Sequence, residues 1–341
     1  MPNPSRSVVV SSSGEASFPS VPSVVGRLAF APIVLGLLVG AAAQLVHGCA
    51  GPSRTEAARA ESVVKPEDLP ERHRRVLEAW KKGGAAWEIE REAVRADPEL
   101  SRFVVDNLMV EMVQAFERSR IAGPGRAPGP FERAQNELVE MREHSTAFLA
   151  EFLPVRDGIV SFLAAQTLER IGAPAVPVVA KVLDDERPES RRRAAELLGR
   201  LPVEAAVEPA VLESLGRRAE KDDEWIVRAQ SARTLGLRAA RLPQKGFALG
   251  VLLRVALDED ASVATAGAGA LGDLGEVRGI PRIAELLPRA GAAGRPGVVD
   301  ALQASLARLS GDSTRRDAAG WRAWWRANEA RLAPPVPLAP R

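Results

Sequence analysis

Residues 138–153, LVEMREHSTAFLAEFL, and residues 168–183, LERIGAPAVPVVAKVL, align without a gap at an offset of 30. Leu138, Met141, Ala150 and Leu153 stand opposite Leu168, Ile171, Ala180 and Leu183. Apolar positions at helical spacing that recur on a fixed period mark one supersecondary unit copied along the chain. A second signature runs further: a small residue followed three positions later by leucine, as Ala165/Leu168, Ala195/Leu198, Ala232/Leu235 and Ala268/Leu271, with the leucines 30, 37 and 36 residues apart. VVDALQASLARLSG adds a weaker copy, placing Leu306 35 residues after Leu271, with Leu309 behind it. About six units are expected between Phe131 and Asn328. One helical hairpin cannot cover its own apolar face, so each unit buries it against the next and the core runs along the stack.

Composition agrees with helix. The chain of 341 residues has no Tyr, only 9 Phe and 46% apolar residues, whereas sheets draw on aromatic and β-branched side chains. Its 46 basic and 44 acidic residues leave a net charge of +2, without the cationic excess that a phosphate-tracking surface needs, so nucleic acid is not an expected partner. A single cysteine, Cys49, excludes an internal disulfide and a thiolate metal cluster. The three histidines, His47, His73 and His144, offer no i, i+4 pair for zinc.

The N-terminus reads as an address. Residues 1–27 are rich in Ser, Pro and Val and end at Arg27, and Leu28–Val46 is a run of 19 residues without a charge. As a helix it would reach about 28 Å, close to the hydrocarbon thickness of a bilayer. Three outcomes stay open for residues 28–49. The run is a signal anchor with Arg27 on the cytoplasmic side, a signal cleaved after Ala41-Ala42-Ala43, or a lipoprotein signal. For the last, Val46-His47-Gly48-Cys49 resembles a bacterial lipobox, with Cys49 as the lipidated residue, although His47 replaces the small residue usual there. Each version exports the bulk of the chain and leaves it at a membrane or released from one.

Residues 50–66 lack apolar periodicity and read as a flexible tether. Residues 67–120 read as a helical cap of three helices, Glu67–Lys82, Ala85–Ala96 and Pro98–Arg120, the last with Phe103, Val104, Leu108, Met112, Val113 and Phe116 on one stripe. Trp80 and Trp87 are expected between the first two. AGPGRAPGP at 122–130 interrupts the helices and is expected as a boundary or hinge. The repeats occupy 131–330, and a Pro-rich tail, 331–341, follows. The triplets Asp184-Asp185-Glu186, Asp222-Asp223-Glu224 and Asp258-Glu259-Asp260 recur just before a helix, where carboxylates cap free N–H groups; metal binding is the alternative reading.

DDEWIVRAQSARTLG at 222–236 and RIGAPAVPVVAKVLDD at 170–185 resemble the short bacterial HEAT-like repeats of the HEAT repeat family. The resemblance covers roughly residues 131–330 and implies an all-α fold, an α-solenoid of stacked helical hairpins, which usually serves contact between proteins. The Gly-rich GAGALGDLG unit and the weak last copy depart from the pattern.

No catalytic set emerges. Gly267-Ala268-Gly269-Ala270-Leu271-Gly272 satisfies G-x-G-x-x-G but lies in the repeat register without a βαβ unit around it. Ser62-Val63-Val64-Lys65 satisfies S-x-x-K without its companion motifs. Neither a cofactor nor a small-molecule substrate is expected. The candidates for partner contact are Arg191, Arg192 and Arg193 with Arg217 and Arg218, whose guanidiniums would converge on acidic groups. Trp321, Trp324 and Trp325 share one helix face, either as a closing cap or as an aromatic recognition patch. The expectation is a membrane-anchored protein-binding scaffold of the bacterial envelope. Two alternatives stand beside it: an enzyme or enzyme accessory of the HEAT-like group named for bilin lyases, and a structural spacer.

Overall fold

The computed structural model describes residues 68–122 and 129–332, and every regular element within them is helical. The expected anchor with Cys49, the tether, Ser62–Lys65, residues 123–128 of the Gly/Pro-rich loop and the tail beyond residue 332 lie outside the described residues. Among the described residues no helix is long and apolar enough to cross a membrane.

The cap comprises α1 (Glu71–Lys82), α2 (Gly84–Ala96) and α3 (Pro98–Ala122). Gly83 and Gly84 turn the chain between the first two at φ of 69° and 56°, a region open to glycine at little cost. The turn brings Trp80 against Trp87 edge to face, ring centroids 5.1 Å apart. The α3 stripe is wider than the sequence suggests. Leu100, Val105 and Met109 are buried along with Val104, Leu108 and Met112, because α3 packs against α1 and α2 and also meets the helices that follow.

Six helix pairs then stack: α4 (Pro130–Glu140) with α5 (Glu143–Glu151), α6 (Gly158–Ile171) with α7 (Val176–Val182), α8 (Pro188–Arg200) with α9 (Glu208–Lys221), α10 (Trp225–Ala239) with α11 (Gly246–Val255), α12 (Ala261–Leu274) with the broken α13 (Ile280–Ala284) and α14 (Leu286–Ala292), and α15 (Pro296–Ser310) with α16 (Ala318–Leu332). The break after Ala284 has a cause in Pro288, whose ring would collide with the carbonyl four residues earlier and which offers no N–H. One layer of the stack is α8, α10, α12 and α15 side by side, with α9 and α11 in the other.

The glycines that directly follow the signature leucines Leu235 and Leu271 set the spacing of the first layer. A Cβ on Gly236 would stand 2.8 Å from the Ala270 carbonyl oxygen, and one on Gly272 would stand 2.8 Å from Ser305 Oγ. The G-x-G-x-x-G match therefore lies inside α12, where Gly267 and Gly272 admit neighbouring chain instead of a pyrophosphate. The core is contiguous from Val76 to Trp325. α3 packs along α4 and also meets α5 and α6, so cap and repeats share that core; residues 123–128 of the expected boundary or hinge lie outside the described residues. At the other end α16 lies on α13 and turns Trp321 and Trp325 inward.

Candidate docking surface

The acidic corners are the most regular polar feature of the stack. Oδ1 of Asp185, Asp222 and Asp258 accepts the backbone N–H two residues on, from Arg187, Glu224 and Asp260, at 2.9, 3.1 and 2.8 Å. Only Asp260 caps a helix in the strict sense, accepting the N–H groups of Ser262 and Val263. Each corner is also held by an arginine. Arg191 donates Nε and Nη2 to Asp222 at 2.7 Å each, while its Nη1 reaches the carbonyls of Asp185 and Glu186. One unit on, Arg228 binds Asp258 at 2.9 and 3.1 Å and the carbonyls of Asp222 and Asp223. Each guanidinium thus ties its own corner to the next, and the hydrogen bonds to Asp222 and Asp258 hold Arg191 and Arg228 above the usual arginine pKa. The series stops at Ala264, where the spacing would require the next arginine; Arg295 reaches back to the carbonyls of Asp258 and Glu259 instead.

These contacts correct the reading of the arginine cluster. The guanidiniums do converge on acidic groups, but those groups belong to this chain. Arg191 is buried against Asp222, so it is closed to a partner. Arg193 donates to the carbonyls of Leu153 and Val155 and to Ser161 Oγ. Arg192 pairs with Glu189 and Glu196 along its own helix. Arg217 and Arg218 both bind Asp184, at 2.8 and 2.6 Å. Partial burial opposes the charge on Asp184, yet these arginines hold its pKa below the usual carboxylate range.

Trp321 and Trp325 are likewise unavailable. Trp321 is fully buried, donates Nε1–H to Gln303, stacks edge to face on Trp324 and carries Arg316 over its ring. Trp324 is half-buried against the core. Together they cover the last apolar surface of an open stack.

Two hollows remain. One of about 420 Å³ lies between α1, α2 and α4, lined by Trp80, Trp87, Arg91, Arg133 and Glu137 among others. Its principal charges are already matched: Arg91 grips Glu137 through two bonds, and Arg133 lies over the Trp80 ring and donates to the Trp80 carbonyl. The other, about 510 Å³, is an open cleft between the corners at 222 and 258, lined by Glu220, Asp222, Asp223, Asp258 and Glu259 against Lys221 and Arg228. Among the described residues no group of three or more His, Cys, Asp or Glu is arranged to hold a metal ion.

Two residues along the chain from Asp223, which lines the second cleft, stands the most exposed tryptophan. Of six tryptophans in the chain, Trp225 is 46% exposed, and beside it Ile226 and Leu257 are each 40% exposed. Arg228 bonds both corners at once, which sets residues 223–226 alongside 257–259. Asp223, Glu224 and Glu259 are exposed here, and among the described residues their carboxylates form no ion pair. Trp225 stands within the repeat stretch quoted above, where its exposure has no signal in the sequence; only its position at the start of a helix, beside the acidic corner, hinted at it.

Residues 146–236 match the family model described as HEAT repeats. No curated protein matches the chain. Among solved structures, the crystal structure of an engineered protein is similar at 17% identity over 71% of this chain and 98% of that one, with a TM-score of 0.39. Residues 146–236, from α5 through most of α10, are thus similar to HEAT repeats, and the stacked helix pairs continue on both sides of them.

Proposed function

We propose that the chain is a scaffold that binds another protein through the edge of its solenoid around Trp225, and that it is held at a membrane of the bacterial envelope by its N-terminal segment. HEAT repeats generally serve contact between proteins. The observation that carries the reading is the exposure of Trp225 with Ile226 and Leu257. A tryptophan left in water gains nothing for the fold, whereas buried tryptophans dominate the energetics of interfaces. The ion pairs and hydrogen bonds of the corners behind it tie neighbouring units together, and a pre-organised surface lowers the entropic cost of binding.

Membrane attachment rests on the uncharged run Leu28–Val46 and on Cys49. Fractionating cells that express the wild type and Cys49→Ala separates the outcomes. Lipidation predicts that the variant leaves the membrane pellet or keeps its leader, and a spanning helix predicts no change. Recovery of the wild type only in the soluble fraction would remove the anchor from the account. Scaffolding is tested by crosslinking intact cells, purifying the full-length chain and identifying its companions: a recurrent partner supports it, and none in repeated experiments refutes it.

A further inference from the structure

The structure assigns a partner chemistry to this edge: we infer that the Trp225 surface receives a cationic segment of protein, one bearing Lys or Arg side chains. The inference rests on the scaffold reading and adds to it the kind of partner.

The charge balance is the argument. Around the cleft several carboxylates are matched within the chain: Asp184 by Arg217 and Arg218, Asp222 by Arg191, Asp258 by Arg228, Glu220 by Arg254. Asp223, Glu224 and Glu259 form no ion pair among the described residues; Asp223 and Glu224 directly precede the exposed Trp225 and Ile226, and Glu259 lies two residues beyond the exposed Leu257. The cleft beside them holds five carboxylates and two cations among its lining residues. Arg228, one of those cations, is committed to Asp258 and to two carbonyls, which leaves Lys221 as the one lining cation without such a tie. An apolar patch beside an excess of carboxylates suits a side chain with an apolar stem and a cationic head. A guanidinium or ammonium over the Trp225 face gains from the ring quadrupole and from the carboxylates together. An acidic segment would instead meet like charge on three sides.

The test uses the full-length chain in non-ionic detergent and a fluorescein-labelled twelve-residue peptide of alternating Arg and Ser, with its Glu-for-Arg counterpart as control. Anisotropy at low salt is expected to show binding of the Arg peptide alone. Trp225→Ala, which changes no charge, should weaken it at least tenfold. Glu224→Lys with Glu259→Lys should do the same, while Glu329→Lys on α16, an exposed carboxylate at the far end of the stack, should leave it unchanged. Circular dichroism matching the wild type shows that the variants are folded. Equal binding of the two peptides, or an unchanged affinity in Trp225→Ala, overturns the inference. The two readings fail separately. A cellular partner that still crosslinks to Trp225→Ala refutes this edge and its chemistry but keeps the scaffold, whereas no partner for the wild type refutes the scaffold itself.

Discussion

Replacing Arg238 with Met should destabilise the stack more than most surface changes combined. Arg238 is fully buried on α10 and its five N–H bonds are all used: Nε and Nη2 bind the buried Glu208, Nη1 donates to the carbonyls of Leu198 and Leu201, and Nη2 also donates to that of Pro202. The side chain thereby joins the end of α8, the start of α9 and the middle of the next unit. Its removal leaves the Glu208 carboxylate buried without a counter-charge, and breaking one side of a buried pair costs about 3–5 kcal/mol. With a urea dependence of about 3 kcal/mol per molar, the midpoint falls by about 1 to 1.7 M. The double variant Arg238→Met with Glu208→Leu removes the stranded charge and should recover most of the loss, because an apolar replacement of a buried pair is often neutral. Urea titrations followed by far-ultraviolet circular dichroism measure both. A single variant within about 0.5 kcal/mol of wild type, or a double variant worse than the single, would refute the reasoning.

Three further outcomes follow from the packing. Burial pushes the Asp106 carboxyl up to about 6, with Arg102 opposing and Glu151 reinforcing the shift. The folded state therefore holds this proton more tightly than the unfolded chain, whose value is about 3.9; the associated stability is present below pH 4 and is lost as pH rises through 6. Asp106→Asn should flatten that slope and raise stability at pH 7.5 by up to about 3 kcal/mol, and an unchanged pH profile in denaturation would contradict it. Gly236→Ala should cost about 1–3 kcal/mol, since the added Cβ meets the Ala270 backbone, which cannot swing aside. Gly216→Ala, whose added Cβ meets the half-exposed Phe247 ring most closely and touches Val251 at 3.4 Å, should cost less, and comparable losses in thermal melts would count against the distinction. Trp321→Ala should speed hydrogen exchange in α15 and α16 while leaving α8 and α10 protected, because end units open locally; uniform acceleration would argue against a local seal.

How far the sequence carried the account depends on the range of the interaction concerned. The 30 to 37 residue period and the Ala/Leu signature are local patterns, and they led to the six helix pairs. The acidic triplets were legible as corners but not as half of a network. Asp222 meets Arg191 across 31 residues and Asp258 meets Arg228 across 30, and which arginine faces which corner depends on the rotation of one unit on the next. For the same reason Arg191–Arg193 looked available to a partner when all three bond within the chain. Trp225 shows the converse: the sequence reading assigned it no role, and only the three-dimensional arrangement reveals it as exposed. Buried Arg238 and Glu208 left no trace in periodicity, since a charged residue on a helix ordinarily signals solvent.

The claim that the Trp225 edge docks a protein is tested most directly by installing the photo-crosslinking residue benzoylphenylalanine at position 225 in the full-length chain, irradiating intact cells and mapping the adduct by mass spectrometry, with position 329 as the reference. The account predicts one recurrent protein joined at 225, through a stretch carrying Lys or Arg, and none at 329. No adduct at 225, or the same protein joined equally well at 329, would contradict it.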